Sequence, residues 1–215
     1  MIIDHKHALY HEKWAKIGVN RFNGAYYYSQ EIVRNIIPNV TTTRNWMTIN
    51  IPGLGVDHSI VFIHNNQHPE HYDWLRQFRD LIIVCGVPET VEKMQHLGKA
   101  IYLPLSVDVE DVLKYKCEKT KKVAFAGRPP KRGNIEFPEG TDILEGMPRE
   151  YLLKEMAQYK SVYAVGRTAI EAKVLGCRIR KYDPRYPNTS LWKVLDNKEA
   201  AKKLQKMLDE IDGNE

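Results

Sequence analysis

Two apolar runs that end in glycine and a basic residue carry the chemistry most open to reading in this chain. The first is Val123-Ala124-Phe125-Ala126-Gly127-Arg128, continued by Pro129-Pro130-Lys131-Arg132-Gly133. The second is Ser161-Val162-Tyr163-Ala164-Val165-Gly166-Arg167, which runs on into Thr168-Ala169-Ile170-Glu171. A glycine at a strand end lets the backbone approach a ligand, and its N–H groups together with a nearby cation suit an anion. Arg128 can grip a phosphate through two parallel hydrogen bonds, and Lys131 adds a point charge. A polar surface loop explains the same residues equally well. Glu171 lies one turn into the helix that follows the second run, where a carboxylate can accept hydrogen bonds from both hydroxyls of a ribose. The competing reading is a capping box, with Thr168 and Glu171 satisfying helix N–H groups.

Two further segments qualify as candidates. His64 closes the apolar run Ser59-Ile60-Val61-Phe62-Ile63 and opens a loop containing His68 and His71. Pro69 interrupts a shared helical face for the last two, and no metal-ligand spacing is present, so the reading assigns no metal. His64 itself stands at a strand end, where ligands of open parallel sheets bind. Gly24, in Asn23-Gly24-Ala25-Tyr26, opens a strand-to-helix turn that would turn its N–H groups toward the same crevice.

These residues need an α/β scaffold to hold them. In the first half, strands are expected at 17–22, 46–51, 59–64, 81–86 and 100–103, alternating with helices. Tyr28, Ile32, Val33 and Ile36 share one helical face before Pro38, and a helix runs from Val87 to Leu97 with Gly98 as its stop. The nearly unbroken apolar strands imply a parallel sheet covered on both faces. In the second half, strands are expected up to Gly127, at 161–165 and at 177–182. Between them lie a Pro- and Gly-rich loop to Gly146, a helix from Pro148 with Leu152, Met156 and Tyr159 inward, and a short helix at 168–175. A last helix opens on the spacing Asp196 to Glu199 and carries Ala201, Leu204, Leu208 and Ile211 along one stripe. The expected division is 1–113 and 114–215.

Composition bounds the rest. The chain has 215 residues, 43% hydrophobic, enough for one large core or two small ones. It holds no apolar run long enough to span a bilayer and no secretory leader, so the cytoplasm is the expected location. Cys85, Cys117 and Cys177 are odd in number and far apart, as expected of reduced thiols. The formal charge of +5 is mild. Without a dense basic stripe interleaved with aromatics, nucleic acid is a possible but not a favoured partner.

Three segments together resemble a known family. Pro104-Leu105-Ser106-Val107-Asp108-Val109, then Gly127-Arg128 with Lys131 behind it, then Glu171-Ala172-Lys173-Val174-Leu175-Gly176, are similar in order and placement to the linker, diphosphate segment and ribose motif of retaining GT-B glycosyltransferases. The resemblance covers about residues 100–183 well and the first hundred loosely. It implies two Rossmann-like parallel-sheet halves facing each other, the C-terminal one shortened, with a nucleoside diphosphate sugar as donor and no tightly bound cofactor. It implies contacts from Arg128 and Lys131 to the diphosphate and from Glu171 to the ribose, with His64 near the transferred sugar. Where the family carries a second glutamate this chain has Tyr163. The expected activity is therefore sugar transfer to an unidentified acceptor. The alternatives are a non-catalytic nucleotide-sugar binder and a glucosyltransferase acting on nucleic acid.

Overall fold

The structure is a computed structural model and describes residues 31–48, 57–63, 69–127, 134–186 and 188–213. The chain is an α/β protein with two four-stranded parallel sheets, each the framework of its own compact unit. One unit comprises the described residues of Ser29–Pro104 and Lys198–Glu215; the other includes Leu105–Asn197. The expected strand at 17–22 and the turn at Gly24 lie outside the described residues.

In the first unit, β1 (Asn45–Thr48), β2 (Ser59–Ile63), β3 (Leu81–Cys85) and β4 (Lys99–Tyr102) pair in sequence order, all parallel. Every residue of β2 and β3 is buried, as the unbroken apolar runs require of strands covered on both faces. On one face, Val61, Ile63, Leu81, Ile83 and Cys85 pack with Tyr72 and Leu75 of a 3-10 helix, Pro69–Gln77, and with Met94 of α1 (Pro88–Met94). Trp46 stacks on Phe62, with ring centroids 6.0 Å apart. Gly98 follows α1 because a Cβ there would stand 2.7 Å from the Leu81 carbonyl oxygen. The stretch expected as one helix before Pro38 is a π-helical turn, Ile32–Ile36, followed by a 3-10 turn, Ile37–Asn39. Ile32 and Ile36 are buried as the spacing requires.

The second unit begins with α2 (Val109–Leu113). Its N-cap Asp108 accepts a hydrogen bond from the Asp111 N–H, and Asp196 accepts one from the Val109 N–H. Asp196 therefore serves α2 as well as preceding its own helix. The sheet holds β5 (Lys121–Gly127), β6 (Asp142–Glu145), β7 (Tyr159–Tyr163) and β8 (Arg178–Arg180) in the order β6-β5-β7-β8. β6 corrects the reading of 128–146 as loop alone. It is an edge strand whose sequence, Asp-Ile-Leu-Glu, offers a single buried side chain, Leu144. α3 (Arg149–Met156) joins β6 to β7, and α4 (Arg167–Val174) joins β7 to β8. Leu153 rather than Leu152 is the buried leucine of α3, and Tyr159 starts β7 instead of ending the helix.

α5 (Asn197–Asp212) carries the expected stripe, with Ala201, Leu204, Leu208 and Ile211 all buried. From Lys198 onward it belongs to the first unit. Asp212 there accepts from Arg44 at 2.9 Å, and Gln205 bonds the backbone of Thr41 at both its N–H and its carbonyl. No described helix is long and apolar enough to cross a membrane.

Candidate functional site

The second sheet supplies the site's foundation through its strand order. β5 is flanked by its chain successor β6 on one side and by β7 on the other, so the connections leaving β5 and β7 depart in opposite directions. The carboxyl ends of β5 and β7 thus form a topological switch point, the place where open parallel sheets open a crevice for ligands. Among the described strands of the first sheet the order has no such reversal.

Gly127 is the last residue of β5 at this point. A Cβ on it would come within 2.9 Å of the Phe125 ring, so packing against that ring favours glycine here. Arg128 and Lys131, the expected diphosphate contacts, lie outside the described residues, as do His64 and Gly24. Beyond β5, Phe137 stacks on Phe125 with centroids 5.0 Å apart and also meets Tyr163 at 4.9 Å and Tyr182 at 5.8 Å. Tyr163 also meets the Arg180 guanidinium, 5.8 Å from its ring centroid. This aromatic cluster joins β5 and β7 to the segments around Phe137 and Tyr182. Burial raises the Tyr182 hydroxyl pKa well above its ordinary value.

α4 starts at the same edge, one residue after Gly166, whose φ of 64° and ψ of −142° suit only glycine. No side chain caps this terminus. The capping-box alternative for Thr168 and Glu171 is thereby corrected: Gly166 is the N-cap and Thr168 is already the second helical residue, two positions past the cap. Glu171 instead lies within a chain of ion pairs. Its Oε1 accepts from Arg167 Nε at 3.1 Å and from Arg149 Nε at 2.9 Å, and Arg149 Nη1 donates to Asp111 at 2.9 Å. Glu171 is 4% exposed and Arg167 7%. Burial would raise the Asp111 carboxyl, yet hydrogen bonds from Arg149 and Lys114 outweigh it and hold its pKa below the usual carboxylate range.

The rest of the Glu-Ala-x-x-x-Gly motif has an equally local account. α4 ends at Gly176 with φ of 83°. The Gly176 N–H bonds the Lys173 carbonyl at 2.9 Å and the Cys177 N–H the Ala172 carbonyl at 2.8 Å. These two bonds form a Schellman motif, whose left-handed residue is usually glycine. So of the candidate residues, among them Thr168 as a further expected nucleotide contact, the structure brings Gly127, Thr168 and Glu171 to the carboxyl ends of β5 and β7, and gives Glu171 two guanidinium partners that sequence reasoning did not foresee. Arg167 is separated from Glu171 by four residues, a signal for an ion pair that was available in the sequence. Arg149, twenty-two residues earlier, carried no such signal.

Set beside known proteins, the chain matches no family model, no curated protein and no solved structure.

Proposed function

We propose that the second unit binds the diphosphate of a nucleoside diphosphate sugar at the carboxyl ends of β5 and β7, and that the chain is a compact glycosyltransferase. The observation that carries this reading is the reversal of strand order around β5, the position at which open parallel sheets take ligands, together with the sequence Arg128 to Arg132 that follows directly on Gly127. In this reading Arg128 and Lys131 neutralise charge that grows on the leaving diphosphate as the glycosidic bond breaks, which lets transfer proceed without a metal. Glu171 has one oxygen engaged by two arginines, so it meets a ribose through its other oxygen while the ion pairs fix its rotamer.

The test is a thermal-shift screen of the full chain with UDP, GDP, ADP and CDP and their sugars, since a ligand that binds only the folded state raises its stability. One base should stand out, and Arg128→Ala should abolish the shift. Absence of any shift at millimolar ligand would remove the proposal. Arg128→Ala should also lower turnover more than it raises the donor KM, because its charge matters most in the transition state.

Tyr163 favours a second reading, a nucleotide-sugar binder without transfer. Its ring meets Phe137 and Arg180, at the position where the resembling family carries a glutamate. Slow release of free nucleoside diphosphate from the donor without acceptor supports the transferase; a thermal shift with no product supports the binder.

A further inference from the structure

The starts of three strands in the first sheet bring together residues that the proposed donor site does not use. The register Asn45↔Ser59 and Ser59↔Leu81 sets β1, β2 and β3 level at their amino ends. Thr43, His58 and Asp80, one or two residues ahead of those strands, are therefore neighbours despite their separation in sequence. His58 Nδ1 bonds Asp80 Oδ2, and His58 Nε2 lies 3.3 Å from Thr43 Oγ1. The other Asp80 oxygen pairs with Arg44 Nη1 at 2.8 Å, and the buried Arg44 is held in turn by Asp212.

Two features define how this group is set. Burial would raise the Asp80 carboxyl, but hydrogen bonds from Arg44 and His58 outweigh it and keep its pKa below the usual value. An ionised carboxylate only accepts, so His58 carries its proton on Nδ1, and in the neutral ring Nε2 is left as an acceptor directed at the Thr43 hydroxyl. The backbone at His58 and Asp80 is also left-handed, with φ of 56° and 52°, and they are the only non-glycine residues so placed among the described residues. Such conformations persist where the surroundings impose them and gather at functional sites.

We propose that Thr43, His58 and Asp80 act as nucleophile, general base and orienting carboxylate, and that Thr43 takes an acyl group from an activated ester. The arrangement is that of a hydroxyl–imidazole–carboxylate triad, recognised by geometry and roles rather than by chain order. Thr43 Oγ1 bonds the carbonyl carbon while His58 Nε2 takes the hydroxyl proton. The bond from that carbon to the leaving oxygen breaks, and the departing alcohol takes the proton from Nε2. Water then attacks the acyl-threonine with Nε2 receiving its proton, the carboxylic acid leaves, and the proton returns to Oγ1. Thr43 is exposed and His58 and Asp80 are half-exposed, so an ester reaches all three from solvent.

The experiment treats the full chain with p-nitrophenyl acetate, follows nitrophenolate release, and maps acetyl groups by peptide mass. The expected result is an acetyl group on Thr43, with its rate of formation falling about 100-fold in His58→Gln and the adduct absent in Thr43→Val. Thr43→Ser should keep the reaction. Thr43→Val leaves the Arg44, His58 and Asp80 contacts in place, so one variant remains folded even if His58→Gln does not. Acetylation confined to lysines, or a Thr43 adduct formed as fast in a folded His58→Gln variant, would overturn the proposal. Either result would leave the nucleotide reading of the second unit untouched.

Discussion

Glu171 accepts from the buried Arg167 and the part-buried Arg149 through a single oxygen, and its loss would remove that carboxylate from both guanidinium groups, Arg149 keeping its bond to Asp111. Breaking such a pair from one side costs about 3–5 kcal/mol. Glu171→Ala should therefore lower the urea unfolding free energy by about that amount, even without ligand present. If Glu171 served only a ribose, the unliganded protein would be indifferent to the change. Acid stability follows from ion pairs in both units. Asp80 and Asp111 both have carboxyl pKa values depressed in the folded chain. A depressed folded pKa contributes stability that is present above the unfolded value of about 4 and disappears as pH falls through the folded one. The urea midpoint should accordingly drop below about pH 4, and Asp111→Asn should flatten part of that slope in a pH series. The side-chain partners were the least legible part of the sequence. Motif spacing singled out Glu171 but assigned it a ligand, because its partner Arg149 comes from another helix. Thr43, His58 and Asp80 carried no signal at all, since only the register of three strands brings them together.

At the level of elements, two glycines between a helix and the next strand are required for different physical reasons, and substitution separates them. Gly176 has a left-handed φ with open space around it, the nearest atom to an added Cβ being the Lys119 side chain at 3.9 Å. Gly176→Ala should cost about 1–2 kcal/mol, the strain of an L residue in that conformation. Gly98 lacks room instead: an added Cβ meets both the Leu81 carbonyl oxygen and the Leu81 Cβ at 2.7 and 3.0 Å. Gly98→Ala must push the chain entering β4 away from Leu81 of β3, so its denaturation midpoint should fall further than that of Gly176→Ala. Pattern reading found β2, β3 and β7 because their apolar runs exceed what a loop can expose. It missed β6 because an edge strand with one buried side chain reads like a turn. The capping box it offered as the alternative role for Glu171 does not form on α4, where the left-handed backbone of Gly166 sets the entry.

At the scale of the molecule, the division into two units does not follow chain order. The unit built on β1 to β4 includes the helix from Lys198 onward, although residues 105–197 intervene. The stripe of Ala201, Leu204, Leu208 and Ile211 announced a buried face, but no sequence pattern names the surface that a stripe will cover. Ending the chain after Asp196 should expose apolar surface in the first unit and remove the Asp212 partner of the buried Arg44. The measurable outcome is increased binding of a hydrophobic dye and a lower melting temperature. A truncated chain that melts like the full one would mean that the helix adds little to that core.

The position of this helix also orders events during synthesis. A ribosome releases β1 to β4 early, yet the helix that completes their unit emerges only after the whole of residues 105–197. The second unit has all of its own segments earlier and reaches a finished core first. Nascent chains stalled before Lys198 should thus protect residues 105–197 from protease while the earlier strands remain cleavable, and chaperones that hold exposed apolar segments should engage the amino-terminal part until the last turn is made.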